Sequence, residues 1–300
     1  MPRKHDAPNE APPCPGPGPA PRPPSFAIPR GACDTHAHVI GAPERFPFVT
    51  ARSYTPPPAP MAAYLAMLDA LRMDRGVLVQ VSVHGTDNRA MLEALGASPD
   101  RLRGIAVVNA DASDRELETL ARAGVRGVRL NTLFGGGVTP EHLERLAERI
   151  APLGWHMQFL IDARTLPELG PRIERLPVEA VIDHMGFIPV DAGIENHGFQ
   201  WLLRLLKGGR TWVKVSGTYR ISKTGAPFHD ATPFARALLA AAPDRCLWGS
   251  YWPHVAVTGP MFNTGDLLEL LPLWAPDETL RRKVLVDNPT RLFGFPEFTD

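Results

Sequence analysis

The chain has 300 residues, 44% hydrophobic and 21% charged, with 32 Lys and Arg balancing 32 Asp and Glu. This is globular composition without a charge excess, so it gives no electrostatic case for nucleic acid or an anionic membrane, and a small-molecule partner is expected. Cys14, Cys33 and Cys246 lack metal-ligand spacing, no apolar run nears the ~20 residues of a membrane helix, and the start carries no apolar leader, so a cytoplasmic setting is expected.

Residues 1–30 are proline-rich, centred on Pro12-Pro13-Cys14-Pro15-Gly16-Pro17-Gly18-Pro19. Proline lacks the N–H that a ladder needs, so this segment is expected to be a disordered tail ahead of one domain over 31–300. The first strand lies in the run 31–40 and contains Asp34-Thr35-His36-Ala37-His38. Side chains alternate along a strand, which puts His36 and His38 on one face, able to share a metal or to hold a water and a carbonyl. A long loop over 41–60, rich in proline and aromatics, is placed to roof a site.

From there strands and helices alternate. Helices are predicted over 61–72, 87–97 (capped by Asp87), 113 onward (capping box from Ser113 to Glu116), 139–150 (Thr139-Pro140 start), 166–174, 199–206 and 233–241. Strands are predicted over 76–83, 104–109, 127–131, 155–161, 178–183, 211–216 and 245–249. The remainder is mostly helical, with a break at Asn288-Pro289. Strands so continuous in Val, Ile and Leu are parallel and covered on both faces, and eight of them alternating with helices predict a (β/α)8 TIM barrel. No Gly-x-Gly-x-x-Gly follows the first strand, which argues against a dinucleotide fold.

In such a barrel chemistry sits at the C-terminal ends of the strands. Those ends offer His36 and His38, then Ser82 and His84, Arg129 and Asn131, Asp183 and His184, Tyr219 and Arg220, and finally Trp248-Gly249-Ser250-Tyr251-Trp252-Pro253-His254. His142 and His156 read as helix and strand residues rather than chemical ones, and His197 and His229 as rim candidates. Trp201, Trp212 and Trp274 read as packing, and Gly135-Gly136-Gly137 as a flexible loop.

The runs 34–41, 79–88, 126–131, 182–186 and 248–254, in this order, resemble the amidohydrolase superfamily, in its 2-pyrone-4,6-dicarboxylate lactonase-like branch. The resemblance covers about residues 31–295. It implies that His36, His38 and His184 polarise a lactone carbonyl, that Tyr54, Ser82, Arg129 and Arg220 contact substrate, and that a bound metal is dispensable. If a divalent metal such as zinc does bind, His36, His38 and His184 are its expected ligands.

Three departures stand out. Tyr251 replaces the aspartate that activates water in that branch, and a free tyrosine, titrating near ~10, is a poor substitute. Phe187 stands where those lactonases carry arginine, and Phe134-Gly135-Gly136-Gly137 where they carry basic residues. Fewer cations favour a less charged, more apolar substrate. The reading is therefore a lactonase-like hydrolase of a cyclic ester of a small carboxylated or aromatic-derived metabolite. The base is then His254, His84 or Tyr251, and His84 and His254 also count as substrate-binding candidates. The alternatives are an isomerase or decarboxylase with Tyr251 as acid, or a catalytically impaired ligand-binding relative.

Overall fold

The computed structural model describes residues 11–134 and 140–298. Eight parallel strands form one sheet in sequence order: β1 (Cys33–Ala37), β2 (Arg75–Val79), β3 (Leu102–Ala106), β4 (Val125–Asn131), β5 (His156–Leu160), β6 (Ala180–Ile182), β7 (Thr211–Lys214) and β8 (Cys246–Leu247). Backbone hydrogen bonds close the circle between the last strand and the first: Thr35 N to Trp248 O at 3.1 Å, Tyr251 N to His36 O at 2.8 Å and His38 N to Trp252 O at 2.8 Å. Every sheet edge is thereby removed, and the eightfold alternation read from the sequence is a TIM barrel.

Helices α1 (Met61–Ala70), α2 (Arg89–Ala97), α3 (Asp114–Arg122), α4 (Leu143–Ile150), α5 (Leu166–Glu174) and α6 (His197–Lys207) follow β1 to β6 in turn, and α7 (Thr218–Ile221) and α8 (Thr232–Ala241) both follow β7. Ser113 caps α3 by accepting the Glu116 N–H, as its spacing predicts. The start of α2 differs from expectation. Asp87 accepts the Arg89 N–H, while Asn88 directly precedes the helix and bonds both backbone groups of Val107, which pins α2 to the end of β3. Thr139 and Gly135-Gly136-Gly137 lie outside the described residues; Pro140–His142 is a 3-10 turn leading into α4. Among the described residues, the short helices α9 (Thr264–Leu268), α10 (Leu271–Trp274), α11 (Glu278–Arg282) and α12 (Asn288–Phe293) follow β8, and the last places Phe293 and Phe295 against Cys33, Val77, Ile105, Val181, Trp212 and Leu247. His156 is buried there with its ring 5.4 Å from Phe293, and Trp212 and Trp274 are core residues.

The described part of the expected tail, residues 11–30, is not left unpacked. Proline denies it a ladder, but isolated contacts hold it against loops that follow β1 and β8: Cys14 N to Thr55 O at 3.0 Å, Thr55 N to Pro12 O at 2.8 Å, Arg22 to Asp266 at 2.8 Å, and Ser25 to Glu269.

Asp34 locks the β8–β1 closure. Its carboxylate accepts Ser250 N at 2.7 Å, Ser250 Oγ at 2.6 Å, His36 N at 3.1 Å and Tyr64 OH at 3.1 Å, all out of contact with water. Removing a partner that satisfies several buried donors costs ~1–3 kcal/mol for each group left bare. Asp34→Ala should therefore lower urea-unfolding stability by at least ~3 kcal/mol and Tyr64→Phe by only ~1. Equal small losses would show that the closure does not depend on this carboxylate.

Candidate active site

His36, His38, His184 and Tyr251 meet at the C-terminal end of the barrel. Ring centroids of His36 lie 5.0 Å from His38, 4.3 Å from His184 and 5.1 Å from Tyr251, and Tyr251 stacks on His184 at 3.9 Å. His184, Met185 and Phe187 have φ near +50°, and Tyr251 has φ +64°. A side chain in this left-handed region costs energy, and such strain concentrates where backbone is bent to aim functional groups.

Beneath the rings, side chains from four strands form a buried charged cluster. Asp183, just after β6, receives Gln158 Nε2 at 3.0 Å and lies 3.3 Å from an Arg129 nitrogen, 3.4 Å from Lys214 Nζ and 3.2 Å from His36 Nδ1. Burial alone would push its carboxyl up, but Lys214 and Arg129 outweigh that and hold it below the ordinary carboxylate range. Burial brings the Lys214 ammonium down to about 8, against the pull of Asp183.

Each histidine is held neutral chiefly by burial. His36 and His184 fall well below the ordinary value, with Lys214 adding to the effect on His36 and His36 to that on His184. His38 falls to about 3, with Arg129 as the second cause. The ring nitrogens have distinct roles. His38 Nδ1 lies 2.7 Å from Val79 O, and a carbonyl can only accept, so this nitrogen carries the hydrogen and Nε2 keeps a lone pair. His184 Nδ1 pairs with Ser216 Oγ at 2.9 Å. Nε2 of His36 and of His184, and Nε of Arg129 and of Arg220, are buried without a hydrogen-bond partner among the described residues.

The other predicted residues divide. Tyr54 OH and Ser82 Oγ bond each other at 3.0 Å, with Phe134 5.9 Å from the Tyr54 ring. Arg220 lies over Tyr251, 5.1 Å from its ring centre, while its terminal nitrogens bond Val255 O and Ala256 O. His254 is not free for the expected role. Its Nδ1 pairs with Tyr219 OH at 3.2 Å and Nε2 with Thr264 Oγ1 at 3.0 Å, and burial followed by Arg220 brings it down to about 3. His84 lies against Phe46 and Phe48, and its Nε2 accepts the Gly41 N–H at 3.3 Å, so it supports the 41–60 loop rather than the imidazole cluster. A surface cavity of about 440 Å³ lined by Val39, Phe46, Met61 and Ala94 lies beside that loop and contains none of the clustered imidazoles. The sequence reading gives Lys214 and Gln158 no place and names Asp183 only as a strand-end residue, although a lysine inside an otherwise apolar strand is a readable signal.

His36, His184 and Asp183 present ligand atoms within 4.8 Å of one another, a donor set that could hold a divalent ion; zinc takes such nitrogen and oxygen ligands. His38 falls outside this set, and Asp183 enters it in place of the expected third histidine.

The family model described as amidohydrolase matches residues 33–295, and the chain belongs to that family. It is 43% identical over 290 residues to a 4-sulfomuconolactone hydrolase of Rhizobium radiobacter, covering 94% of this chain and 96% of that one. It is 41% identical over 285 residues to a 2-pyrone-4,6-dicarboxylate hydrolase of Comamonas testosteroni, covering 91% and 93%. A ligand-free crystal structure from Agrobacterium tumefaciens superposes with a TM-score of 0.84 at 30% identity, covering 92% and 98%. The chain is thus a hydrolase of the lactonase-like branch.

The neutral histidines set a pH dependence. His38, His156 and His254 bind protons near ~6.5 when unfolded but only near pH 3 when folded, so the unfolded chain holds more protons between these limits. Stability should fall as pH drops below ~6.5. Asp34, raised to about 6 by burial, opposes this between ~4 and 6, as one group against these three and against His36 and His184, which shift the same way. At ~1.4 kcal/mol per pH unit per group, going from pH 7.5 to 5.5 should cost at least ~3 kcal/mol in urea titrations, and His156→Gln should make the slope shallower. A flat profile would contradict neutral burial.

Proposed function

We propose that the protein opens a small anionic lactone by adding water, using imidazole and guanidinium groups in place of a metal. The observation that carries this reading is the set of buried nitrogens without hydrogen-bond partners among the described residues, from His36, His184, Arg129 and Arg220. Buried donors of this kind are satisfied by what binds there.

In this reading Arg129 and Arg220 receive the anionic substituent, since guanidinium N–H groups match carboxylate or sulfonate oxygens. Phe134 and Phe187, standing where the branch carries cations, give apolar faces to the ring. His184 and His36 hold the carbonyl oxygen, where charge develops as water attacks. His38 Nε2 takes the proton from that water, because its tautomer leaves this nitrogen as acceptor. Tyr251 gives its hydroxyl proton to the ring oxygen as the carbon–oxygen bond breaks, and His38 returns the water proton through solvent. The net change is one water added across the ester bond. Support for an anionic lactone also comes from the named substrates of the two hydrolases that are 43% and 41% identical.

A zinc ion at His36, His184 and Asp183 would polarise the carbonyl as a Lewis acid. The charge balance argues for the metal-free reading. The only carboxylate in that set is already neutralised by Lys214 and Arg129, and the strand-eight position that supplies a carboxylate elsewhere in the branch is Tyr251.

The test is ring opening of 4-sulfomuconolactone and 2-pyrone-4,6-dicarboxylate, followed by ultraviolet absorbance. Chelator-treated protein should retain its turnover. His38→Gln should lower kcat by ~10²–10⁴, as loss of a positioned base does, and Tyr251→Phe by ~10². Loss of activity on chelation with recovery on adding zinc would overturn the metal-free reading. Full activity of His38→Gln would overturn the assignment of the base.

A further inference from the structure

Lys214 is the last residue of β7, fully buried, and neither the sequence reading nor the reaction outlined above gives it a task. An ammonium has three hydrogens and no lone pair. Two of them are accounted for: Thr35 O lies at 2.9 Å and Gln158 Oε1 at 2.8 Å. The Gln158 amide cannot be reversed, because its other end donates to Asp183. The third hydrogen has two neighbours, His36 Nδ1 at 3.2 Å and Asp183 Oδ1 at 3.4 Å.

These neighbours correspond to two different states of His36. If Lys214 donates to Nδ1, that nitrogen has a lone pair and the ring hydrogen is on Nε2. If Nδ1 instead donates to Asp183 Oδ1, which is 3.2 Å away, Nε2 has the lone pair. Distance alone does not separate the two, but direction does. Among the described residues no donor, His36 Nδ1 included, meets hydrogen-bond direction at Asp183 Oδ1, so this oxygen lies off the axis along which an Nδ1 hydrogen would point. Lys214 Nζ does satisfy hydrogen-bond geometry with Nδ1.

We propose that Lys214 is a positioning residue that fixes His36 with its hydrogen on Nε2, making the two histidines of the His36-Ala37-His38 motif opposite in function. Val79 O fixes His38 with a lone pair at Nε2; Lys214 fixes His36 with a donor there. One ring can then accept a proton from water while its neighbour donates to the carbonyl oxygen. Two identical lone pairs would suit an ion and would leave the carbonyl oxygen one donor short. The inference rests on the lactone-opening reading for its purpose, but its content is the position of a hydrogen, which can be read without any substrate.

The test is nitrogen NMR of the full chain labelled at histidine, in which long-range proton couplings distinguish the two ring tautomers. The His36 and His38 signals are assigned by their loss in His36→Gln and His38→Gln. The wild-type protein should show His36 with hydrogen on Nε2 and His38 with hydrogen on Nδ1. Lys214→Met, confirmed as folded by circular dichroism, should move His36 to the Nδ1 form. It should also lower kcat on an anionic lactone by ~10²–10³, the usual effect of losing one oxyanion donor, with KM changed less than threefold. Wild-type His36 with hydrogen on Nδ1 would overturn the proposal whether or not the variant folds, as would a Lys214→Met spectrum in which His36 keeps the Nε2 hydrogen. A protein with the predicted tautomers but no lactone turnover would refute the proposed function and leave this assignment standing.

Discussion

The site depends on one buried carboxylate held between two buried cations. Asp183 sits against Lys214 and Arg129, out of contact with water, and desolvated charges of this kind persist only when paired and hydrogen-bonded. Gln158, Thr35 and His36 complete the pairing from β5 and β1, so four strands are tied together under the imidazoles. With the histidines neutral, the carboxylates of Asp183 and Asp34 are opposed by Lys214, Arg129 and Arg220, which leaves one positive charge in excess around the site. The excess positive charge complements an anionic substrate, and the closed surroundings strengthen that attraction beyond its value in water. Lys214 and a metal also make opposite demands on His36, since an ion needs a ring lone pair facing it and lies badly beside an ammonium.

A second carboxylate does structural work with consequences for the same site. Asp34 ties the Ser250 backbone and hydroxyl to β1, and Ser250 Oγ in turn accepts the Trp252 N–H. Tyr251 lies between these two anchors, and its left-handed backbone is held from both sides. The stacking of Tyr251 on His184 is therefore a result of barrel closure. Changes to Asp34 should reach the chemistry through the position of this ring as well as through stability.

The barrel was legible because its signals are local and repeated: apolar strands at regular spacing, caps such as Ser113, and polar residues gathered at strand ends. His36, His38 and His184 were legible for the same reason, as strand-end residues whose side chains a barrel must turn inward. Less local properties were hidden. His254 and His84 have the right position in the chain, but both His254 nitrogens are engaged by Tyr219 and Thr264, and His84 is turned to the 41–60 loop with Nε2 on Gly41, partners supplied by distant segments. Lys214 and Gln158 are strand residues whose meaning comes from flanking Asp183 on the two strands that pair with β6. The packing of residues 11–30 depends on isolated contacts with distant segments, such as Cys14 with Thr55 and Arg22 with Asp266, which proline content does not reveal.

The central claim is that this site adds water to an anionic lactone. Its most direct test is turnover of 4-sulfomuconolactone in water enriched in the heavy oxygen isotope, with products weighed by mass spectrometry. The account predicts an opened product carrying one solvent oxygen in its new carboxylate. A product of the same mass as the substrate would show isomerisation instead, and unchanged substrate bound to folded protein would show a binding site without this reaction; either would contradict it.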